Sequence, residues 1–509
     1  MRFWFKLLSV IGLATTALPA RAEWLEASNK HFVVLGDSSR AEIKKFADEL
    51  ALFDAAVRKV ANLRDDEASP RNRLTIFLVA GDGAVNDLHG RSGGNIGGFY
   101  QARASGSIAV VPQLFVSRFV TIDPRMVLYH EYAHHLILGS TNGIYPVWVS
   151  EGLAEFFTYT KSYSDGAVLL GLPNVARSDQ ITQSSYPVRS LLDEQHKRAT
   201  QVSVEARYSR GWLLIHYLFL GGKRPGQFDS YMRLINEGVP GLQAGEKAFG
   251  DLNQLDDELN RYRRTTLPHI TLPPGGAQPD PVTLRALSPA EAAAMPAYVR
   301  LKASLHGNAA STQRDAAGLA ARFPDSGFVQ RLLASAALAA GDGDTAVAAA
   351  DRALAIDATD VEALLVKARV AIDRAAKAGD ASGIGIARGL IARAAQLDPD
   401  YAQTHVLRFT SYRAMGAAPI PAAVAGLKRA TELVPQARAP LALYAGEMIR
   451  EGNLPEARLA LIPLAFSPHA PANNGAAALL GLIDDGADAE TVRERAATLA
   501  KDPAEDDAR

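Results

Sequence analysis

The chain contains no cysteine. Disulfide bonds and thiolate metal sites are therefore excluded, so any metal ion must be bound through nitrogen and oxygen ligands. An excess of charge of one sign is also missing, because the formal net charge is −1 at pH 7. Proteins that bind nucleic acids or anionic membranes usually carry a positive excess, which this sequence lacks. We therefore expect no nucleic-acid partner.

Long hydrophobic runs are absent after the first residues of the chain. Two positive charges precede an apolar stretch that begins at Leu7 and ends in the small-residue pattern Ala20-Arg21-Ala22. A bilayer span needs about 20 apolar residues, and this stretch is shorter. The pattern predicts a cleaved signal peptide over residues 1–22, with an uncleaved anchor as the alternative. We therefore expect an exported protein, periplasmic or extracellular, without a transmembrane segment after cleavage.

The remaining sequence has the composition of a folded protein, with 48% hydrophobic and 21% charged residues. Its length of 509 residues predicts two or three hydrophobic cores. Over residues 23–267, β-type runs alternate with helical patterns such as the one from about Ala41 to Ala61, which predicts an α+β domain. The β-type runs are His31–Gly36, Leu74–Val79 and Ile108–Val111. Residues 93–98 are glycine-rich but lack the ending of a phosphate loop, so unusual backbone angles are favoured over ligand binding.

Prolines separate this part from a second, helical part. Five prolines between residues 268 and 281 predict a linker over residues 268–287. Residues 288–470 are alanine-rich, and small residues recur there seven positions apart, with proline or a substitute five positions later. These intervals resemble the tetratricopeptide repeat, which implies an all-α solenoid of stacked helix pairs. A helical bundle without repeats is the alternative, and residues 471–509 are expected to form a C-terminal helix and an acidic tail.

The motif that carries chemistry is HExxH at residues 130–134. A proline before it and a glycine after it predict one helix that contains the whole motif. His130 and His134 then fall on one helix face, about 6 Å apart, and can converge on one metal ion. Glu131 projects beside them, where its carboxylate can accept a proton from a metal-activated water.

A catalytic zinc site needs a third protein ligand. The metzincin pattern would place Gly and His where Ile137 and Ser140 stand, so that class is excluded. The gluzincin pattern instead requires a glutamate on the following helix. The next helical pattern supplies Glu151 and, one turn later, Glu155. From these residues alone, both carboxylates are candidates.

The sequence HEYAHH followed by PVWVSEGLAEFF is similar to the gluzincins of the peptidase MA clan, in which Trp-x-x-Glu-Gly-x-Ala follows the HExxH helix. The resemblance covers residues 23–266 and is strongest over residues 129–157. It implies a zincin-like metallopeptidase domain, one Zn²⁺ per chain, Glu151 as the third ligand and Glu155 as the residue that orients His130. The Gly-x-Met-Glu-Asn signature of the aminopeptidase relatives is absent, so an endopeptidase is expected.

Several other side chains have competing interpretations. Members of the clan usually add a Tyr or His that donates to the oxyanion, and Tyr208 is the candidate by position, with core packing as the competing reading. His216 is more strongly favoured as a core residue. His135 is rotated about 100° from His134, so we expect it to pack or to face solvent. Trp148 is predicted to lie in the core.

The expected function is hydrolysis of peptide bonds in protein or peptide substrates, with Glu131 as general base and the repeats recruiting substrate or partner proteins. By analogy with gluzincins, residues 97–108 are expected to supply an edge strand that pairs with an extended substrate. One rival is a catalytically silent, repeat-mediated scaffold of the cell envelope. Another is a purely structural solenoid that binds no metal.

Overall fold

The computed structural model describes residues 23–63, 65, 69–90, 97–113, 124–139, 145–173, 186–193, 201–303, 308–465 and 474–499. The predicted signal peptide (1–22), most of the glycine-rich stretch and the acidic tail from residue 500 lie outside the described residues.

Nine strands are assigned within these ranges and form two sheets. They are β1 (Glu23–Ser28), β2 (Phe32–Ser38), β3 (Leu74–Val79), β4 (Phe99–Gln101), β5 (Ile108–Pro112), β6 (Lys161–Ser162), β7 (Val168–Leu170), β8 (Ile270–Leu272) and β9 (Thr283–Ala286). The larger sheet has the order β4-β5-β3-β2-β1-β9, and the smaller has the order β6-β7-β8. β2, β3 and β5 are parallel neighbours, whereas β4, β1 and β9 pair antiparallel. The predictions of β2, β3 and β5 are confirmed.

The strands at the centre of the sheet are buried, as expected for parallel strands covered on both faces. In β5, all five residues are buried. The glycines beside β4 and β5 have the backbone angles that the sequence predicted, because Gly98 and Gly106 adopt φ values of 156° and 100°. Since β4 lies at one end of the strand order, it forms an edge of the sheet.

Helices of the N-terminal region cover the sheet and extend beyond it. They are α1 (Arg40–Val60), α2 (Asp82–His89), α3 (Pro124–Gly139), α4 (Val147–Thr158), α5 (Val188–Leu192), α6 (Gln201–Leu220), α7 (Gln227–Asn236), α8 (Gly241–Phe249) and α9 (Leu252–Tyr262). α1, predicted as a helix, begins at a capping box between Ser39 and Glu42. It packs against α3, where the rings of Phe53 and Tyr129 stack 3.9 Å apart. These contacts hold α3 close to the sheet.

The Pro-rich segment is folded into both sheets, so the prediction of a linker over residues 268–287 is wrong in this respect. β8 pairs with β7, and β9 pairs with β1 at the outer edge of the larger sheet. The prolines lie before and between these two strands, where no ladder hydrogen bond is lost. β8 and β9 form because β7 and β1 each present a strand edge with which they can pair. The local composition of the segment does not show that these edges exist.

The C-terminal region is all-helical in the described residues. Its helices are α10 (Pro289–Ala303), α11 (Ala309–Arg322), α12 (Gly327–Ala339), α13 (Gly343–Ile356), α14 (Val361–Ala378), α15 (Ala381–Leu397), α16 (Ala402–Arg413), α17 (Pro421–Leu433), α18 (Arg438–Glu451), α19 (Leu454–Ala465), α20 (Gly475–Asp484) and α21 (Ala489–Leu499). Each helix packs against its sequence neighbours, and α12 also touches α10 and α14. No helix in the described part of the chain is both long and apolar enough to cross a bilayer.

The small residues that recur in this region lie where helices cross. All of them have no exposed surface: Ala346, Ala353, Ala387, Ala394, Ala423, Ala430 and Ala457. Alanine lets two helix backbones approach closely without losing helical propensity, which accounts for the richness in alanine. The array is therefore built from successive helix pairs that bury one another's faces.

Two clusters of buried apolar side chains contain residues of both regions, whereas two others lie wholly within the helical array. Val434 and Ala437, in the turn after α17, belong to the same cluster of buried side chains as Leu136 and Ile137 of α3. Polar contacts reinforce the junction. The Oγ of Ser69 and the Nη1 of Arg71 each lie 2.8 Å from the Asp398 carboxylate, and Asn72 donates to the Asp400 carbonyl at 2.6 Å. Turns between helix pairs thus face the N-terminal region.

Candidate metal centre

The HExxH motif lies on α3, as the sequence predicted. The faces of α3 that carry Leu128, Tyr132 and Leu136 are buried against the sheet and α1, which fixes the rotation of the helix. His130 and His134 project together from another face, and their Nε2 atoms lie 3.3 Å apart. Their rings meet edge to face, with centroids 4.8 Å apart.

α4 brings Glu151 to the two imidazoles. Its Oε2 lies 3.4 Å from the Nε2 of His130, and its Oε1 lies 3.4 Å from the Nε2 of His134. The side chain is only 1% exposed, yet neither carboxylate oxygen makes a hydrogen bond of good geometry to any described residue. His130, His134 and Glu151 therefore form a group that could hold a metal ion.

The glycine that follows Glu151 determines how close α4 lies to α6. A Cβ added to Gly152 would lie 2.8 Å from the carbonyl oxygen of Gly211, and one added to Gly211 would lie 2.9 Å from the carbonyl oxygen of Trp148. No side chain can occupy such a space without moving the helices apart. The two glycines thus let α6 pack against the back of α4, while Glu151 faces α3.

The pKa values of His130 and Glu151 are each shifted towards the charged form of the side chain. Burial lowers the pKa of His130, but the carboxylates of Glu151, Glu155 and Glu131 outweigh that effect and raise the pKa to about 9. Burial raises the pKa of Glu151, and the imidazoles of His134 and His130 lower it by more, so this pKa lies below its ordinary value. Glu151 is consequently ionised and needs a positive charge beside it.

The other ring nitrogens are held by hydroxyl groups. Ser150 Oγ lies 3.1 Å from the Nδ1 of His134, and Thr158 Oγ1 lies 3.4 Å from the Nδ1 of His130. Thr158 donates its own hydrogen to the Ala154 carbonyl at 2.8 Å, so towards His130 its oxygen can only accept. When a metal ion displaces the proton from Nε2, the remaining proton on Nδ1 faces this oxygen and the Nε2 lone pair faces the centre.

Sequence reasoning missed these two hydroxyl groups. Ser150 directly precedes the candidate ligand Glu151, and Thr158 is two turns further along the same helix, so helical spacing from Glu151 would have been the signal. Glu155, expected to orient His130, lies 3.9 Å from its Nδ1, beyond hydrogen-bonding distance but near enough to act by charge.

Glu131 is half-buried and its charge contributes to the raised pKa of both His130 and Tyr100, so its carboxylate lies beside the group. Tyr208 is half-buried on α6, and its assignment as oxyanion donor stays a prediction.

Two further predictions concern core packing. Trp148 is 2% exposed and donates from Nε1 to the Tyr231 hydroxyl at 3.0 Å, in agreement with its predicted core position. His216 is fully buried, with Nδ1 2.8 Å from the Tyr262 hydroxyl and Nε2 3.1 Å from the Gly171 carbonyl. Because both ring nitrogens of His216 are engaged, it is a packed residue and is not available to a substrate.

A second group contains His31, Asp65 and Asp280, which also have atoms close enough together to hold a metal ion. Nε2 of His31 lies 2.9 Å from Asp65 and 3.2 Å from Asp280. Lys30 contacts the same two carboxylates, at 2.7 and 3.2 Å. This group lies where the turn after β1, the end of α1 and the segment before β9 meet.

Comparison with known proteins gives one partial match. Residues 127–240 match the model of a family described as a protein of unknown function (DUF1570). The matched segment contains both histidines, Glu131 and Glu151, and it runs from α3 past the end of α7. No curated protein matches the chain. The segment that builds the candidate metal centre is thus similar to a family for which no function is described.

Proposed function

We propose that this protein is a zinc-dependent peptidase. The observation that carries the proposal is the spacing of the facing atoms: the two Nε2 atoms lie 3.3 Å apart, and each of them lies 3.4 Å from a different carboxylate oxygen of Glu151. Tetrahedral ligands at about 2.0–2.1 Å from one Zn²⁺ are separated from each other by about 3.3–3.4 Å. Direct hydrogen bonds would draw the atoms closer, to about 2.7–3.0 Å.

The chemistry of the ligands also fits zinc. Two imidazoles and one carboxylate make the set of three protein ligands found in catalytic zinc sites, which leave one position open, whereas structural sites use four. Without a metal, the buried and ionised Glu151 relies on a protonated His130 for its positive charge, and a divalent ion would replace that proton and supply the charge instead. When bound, the zinc ion would act as a Lewis acid that activates water and polarises the substrate carbonyl.

Glu131 is proposed as the general base. It directly follows His130, and its side chain is half-buried, so part of the side chain is open to a substrate. Its carboxylate would take a proton from the attacking water and return it to the leaving amine. His130, His134 and Glu151 would hold the ion, and Ser150 and Thr158 would fix the imidazole rings.

An extended peptide is the proposed substrate, and the protein is proposed to be an endopeptidase. β4 lies at the sheet edge and packs against α3, so a peptide paired with β4 would run along the motif helix. A zincin-like fold for the N-terminal region is part of the same proposal. Tyr208 is retained as the proposed donor to the developing oxyanion.

The helical array is proposed to be a tetratricopeptide-type solenoid that binds substrate or partner proteins. The buried alanines at the helix crossings support this assignment. Most of the large hydrophobic side chains that are exposed in the described residues lie in this array. They are Ile356, Ile386, Leu397, Ile420 and Leu459. We also propose export to the periplasm or the extracellular space, on the basis of the N-terminal sequence.

Replacing Glu131 by glutamine tests the mechanism. Glu131→Gln should abolish hydrolysis of a peptide library while the protein retains about one zinc per chain, because the base is lost but no ligand is. Glu237→Gln, which changes an exposed carboxylate of the same region, serves as the matched control and should cleave normally. Unchanged hydrolysis by Glu131→Gln would refute the proposal, and zinc binding by the native protein without any cleavage would favour a silent scaffold.

A further inference from the structure

The helical array contacts the end of α3, the helix that carries the HExxH motif. The proposed hydrolysis of peptides does not account for this contact. The turn between α17 and α18, residues 434–437, reaches α3. Val434 is 1% exposed and Ala437 is not exposed, so both ends of this turn are anchored in the shared core. Between them, the Gln436 carboxamide lies beside His135 at the last turn of α3. It is also close to Gly139, because a Cβ added there would lie 3.5 Å from the Oε1 of Gln436.

His135 is the point where three parts of the molecule meet. Its Nδ1 lies 3.0 Å from the Tyr100 hydroxyl of β4 and 3.3 Å from the Nε2 of Gln436. Its ring also stacks on Tyr132, which donates a hydrogen bond to Asp54 of α1 at 2.9 Å. The edge strand, the motif helix and the helical array are therefore joined through one imidazole.

The direction of these hydrogen bonds follows from the groups involved. An amide nitrogen can only donate, so the Nδ1 of His135 must be the unprotonated ring nitrogen, and the Tyr100 hydroxyl must donate to it as well. Two donors thus compete for a single lone pair, and removal of one leaves the other in place. Removal of both would leave a buried acceptor without a partner.

His135 follows the ligand His134 directly and lies one helical turn after Glu131. Ser150 and Thr158 hold the imidazoles from the α4 side, and the Gln436 and Tyr100 pair holds α3 from a second side, about 100° round the helix. A helix fixed on two sides keeps its side chains within the narrow limits that a metal site requires.

We propose that Gln436 is a positioning residue of the metal centre, through which the helical array fixes α3 against the edge strand β4. The array then contributes to the zinc site itself, in addition to any partner that it binds. This inference rests on the proposed zinc site, but its test does not depend on hydrolysis.

The test measures zinc affinity in the full-length protein by competition with a chelator. Gln436→Met keeps the length and volume of the side chain but removes the donor, Tyr100→Phe removes the other donor, and the double variant removes both. Replacing a direct outer partner of a metal ligand weakens binding by about 10- to 100-fold. Gln436 and Tyr100 act one residue further out, through His135, so we expect the double variant to bind zinc about tenfold more weakly than native protein, at the lower end of that range. We expect Tyr100→Phe alone to have a clearly smaller effect.

A matched control separates positioning from general stability. Gln330 is also in the helical array and is 1% exposed; it donates to the Pro324 carbonyl at 3.0 Å and accepts from Arg352 at 2.8 Å. Gln330→Met should lower the melting temperature at least as much as Gln436→Met, yet it should leave the zinc dissociation constant within about twofold of native.

Two results would overturn the inference. One is a double variant that binds zinc within twofold of native protein, and the other is a double variant no weaker than Tyr100→Phe alone. Zinc binding without any peptide cleavage would contradict the proposed peptidase function and leave this inference standing. A native protein that binds no zinc would overturn both.

Discussion

The described residues contain two groups of histidine and carboxylate side chains that could hold a metal ion, and the groups differ in the spacing, the hydrogen bonding and the neutralisation of their ligand atoms. At α3 and α4 the facing atoms lie 3.3–3.4 Å apart. Around His31 the corresponding distances are 2.9 and 3.2 Å, which are shorter than the separation of about 3.3–3.4 Å between tetrahedral zinc ligands. The composition of the two groups is similar, but the spacing of their ligand atoms is not.

The hydrogen-bond partner of the second ring nitrogen explains the difference. In the α3 and α4 group, hydroxyl oxygens face both Nδ1 atoms. At His31, the Nη2 of Arg58 lies 3.4 Å from Nδ1, and a guanidinium can only donate. Nδ1 of His31 therefore accepts and Nε2 carries the proton, so that nitrogen has no lone pair for a metal, although it makes no hydrogen bond of good geometry to the carboxylates.

The two groups also differ in the cation that neutralises their carboxylates. Lys30 already contacts Asp65 and Asp280, whereas the described residues place no lysine or arginine side chain in contact with Glu151. A metal ion at His31 would have to displace that ammonium group, but one at Glu151 would displace only a proton from His130 and take over its charge. The comparison predicts one zinc site in the described part of the chain.

The largest expected effect comes from removing the carboxylate ligand. Glu151→Gln should weaken zinc binding by more than about 100-fold, because replacing even an outer partner costs 10- to 100-fold. Asp280→Asn is the matched change in the second group and should leave one zinc per chain. Metal analysis after dialysis against a weak chelator measures both. Two zinc ions per chain in native protein and one in Asp280→Asn would show that the His31 group also binds zinc, in contradiction to the prediction of one site.

An intermediate effect is expected from the hydroxyl groups that hold the rings. Thr158→Val should weaken zinc binding by roughly 10-fold or more, since the Nδ1 of His130 loses its acceptor. Thr498→Val is the control, because Thr498 also donates to the carbonyl four residues earlier but touches no histidine. Chelator competition gives both affinities. Equal affinities in the two variants would show that the hydroxyl group does not orient the ring.

The smallest expected effect concerns the acid stability contributed by His31. Burial lowers the pKa of His31, Arg58 lowers it further, and Asp54 opposes both, so the folded-state pKa lies below the unfolded value of about 6.5. The unfolded chain then takes up a proton first as pH falls. The stability that neutral His31 contributes is present above about pH 6.5 and is lost as pH falls through the folded pKa.

His31→Gln should therefore make the melting temperature less sensitive to acid between pH 8 and pH 5. His269→Gln, at an exposed histidine, controls for the loss of an imidazole. Melting curves at several pH values give the difference between each variant and native protein. If native protein and His31→Gln lose stability in parallel, His31 is not the neutral imidazole that the comparison requires.

The sequence alone determined the features that depend on local periodicity. Two histidines four residues apart must share a helix face, whatever surrounds the helix, so His130 and His134 could be paired without a structure. The buried runs of β2, β3 and β5 and the alanines of the helical array follow from the same kind of short-range pattern. Such patterns involve neighbours in the chain, whose geometry the backbone fixes.

Tertiary structure decided which partners meet across long separations in the chain. The sequence proposed Glu151 by resemblance, but the pairing of its two oxygens with the two Nε2 atoms depends on how α4 packs between α3 and α6. The pairing of β9 with β1 and the contact of Gln436 with His135 join residues hundreds of positions apart. No local pattern encodes such contacts, because they are selected by the burial of whole faces and by the closure of long loops.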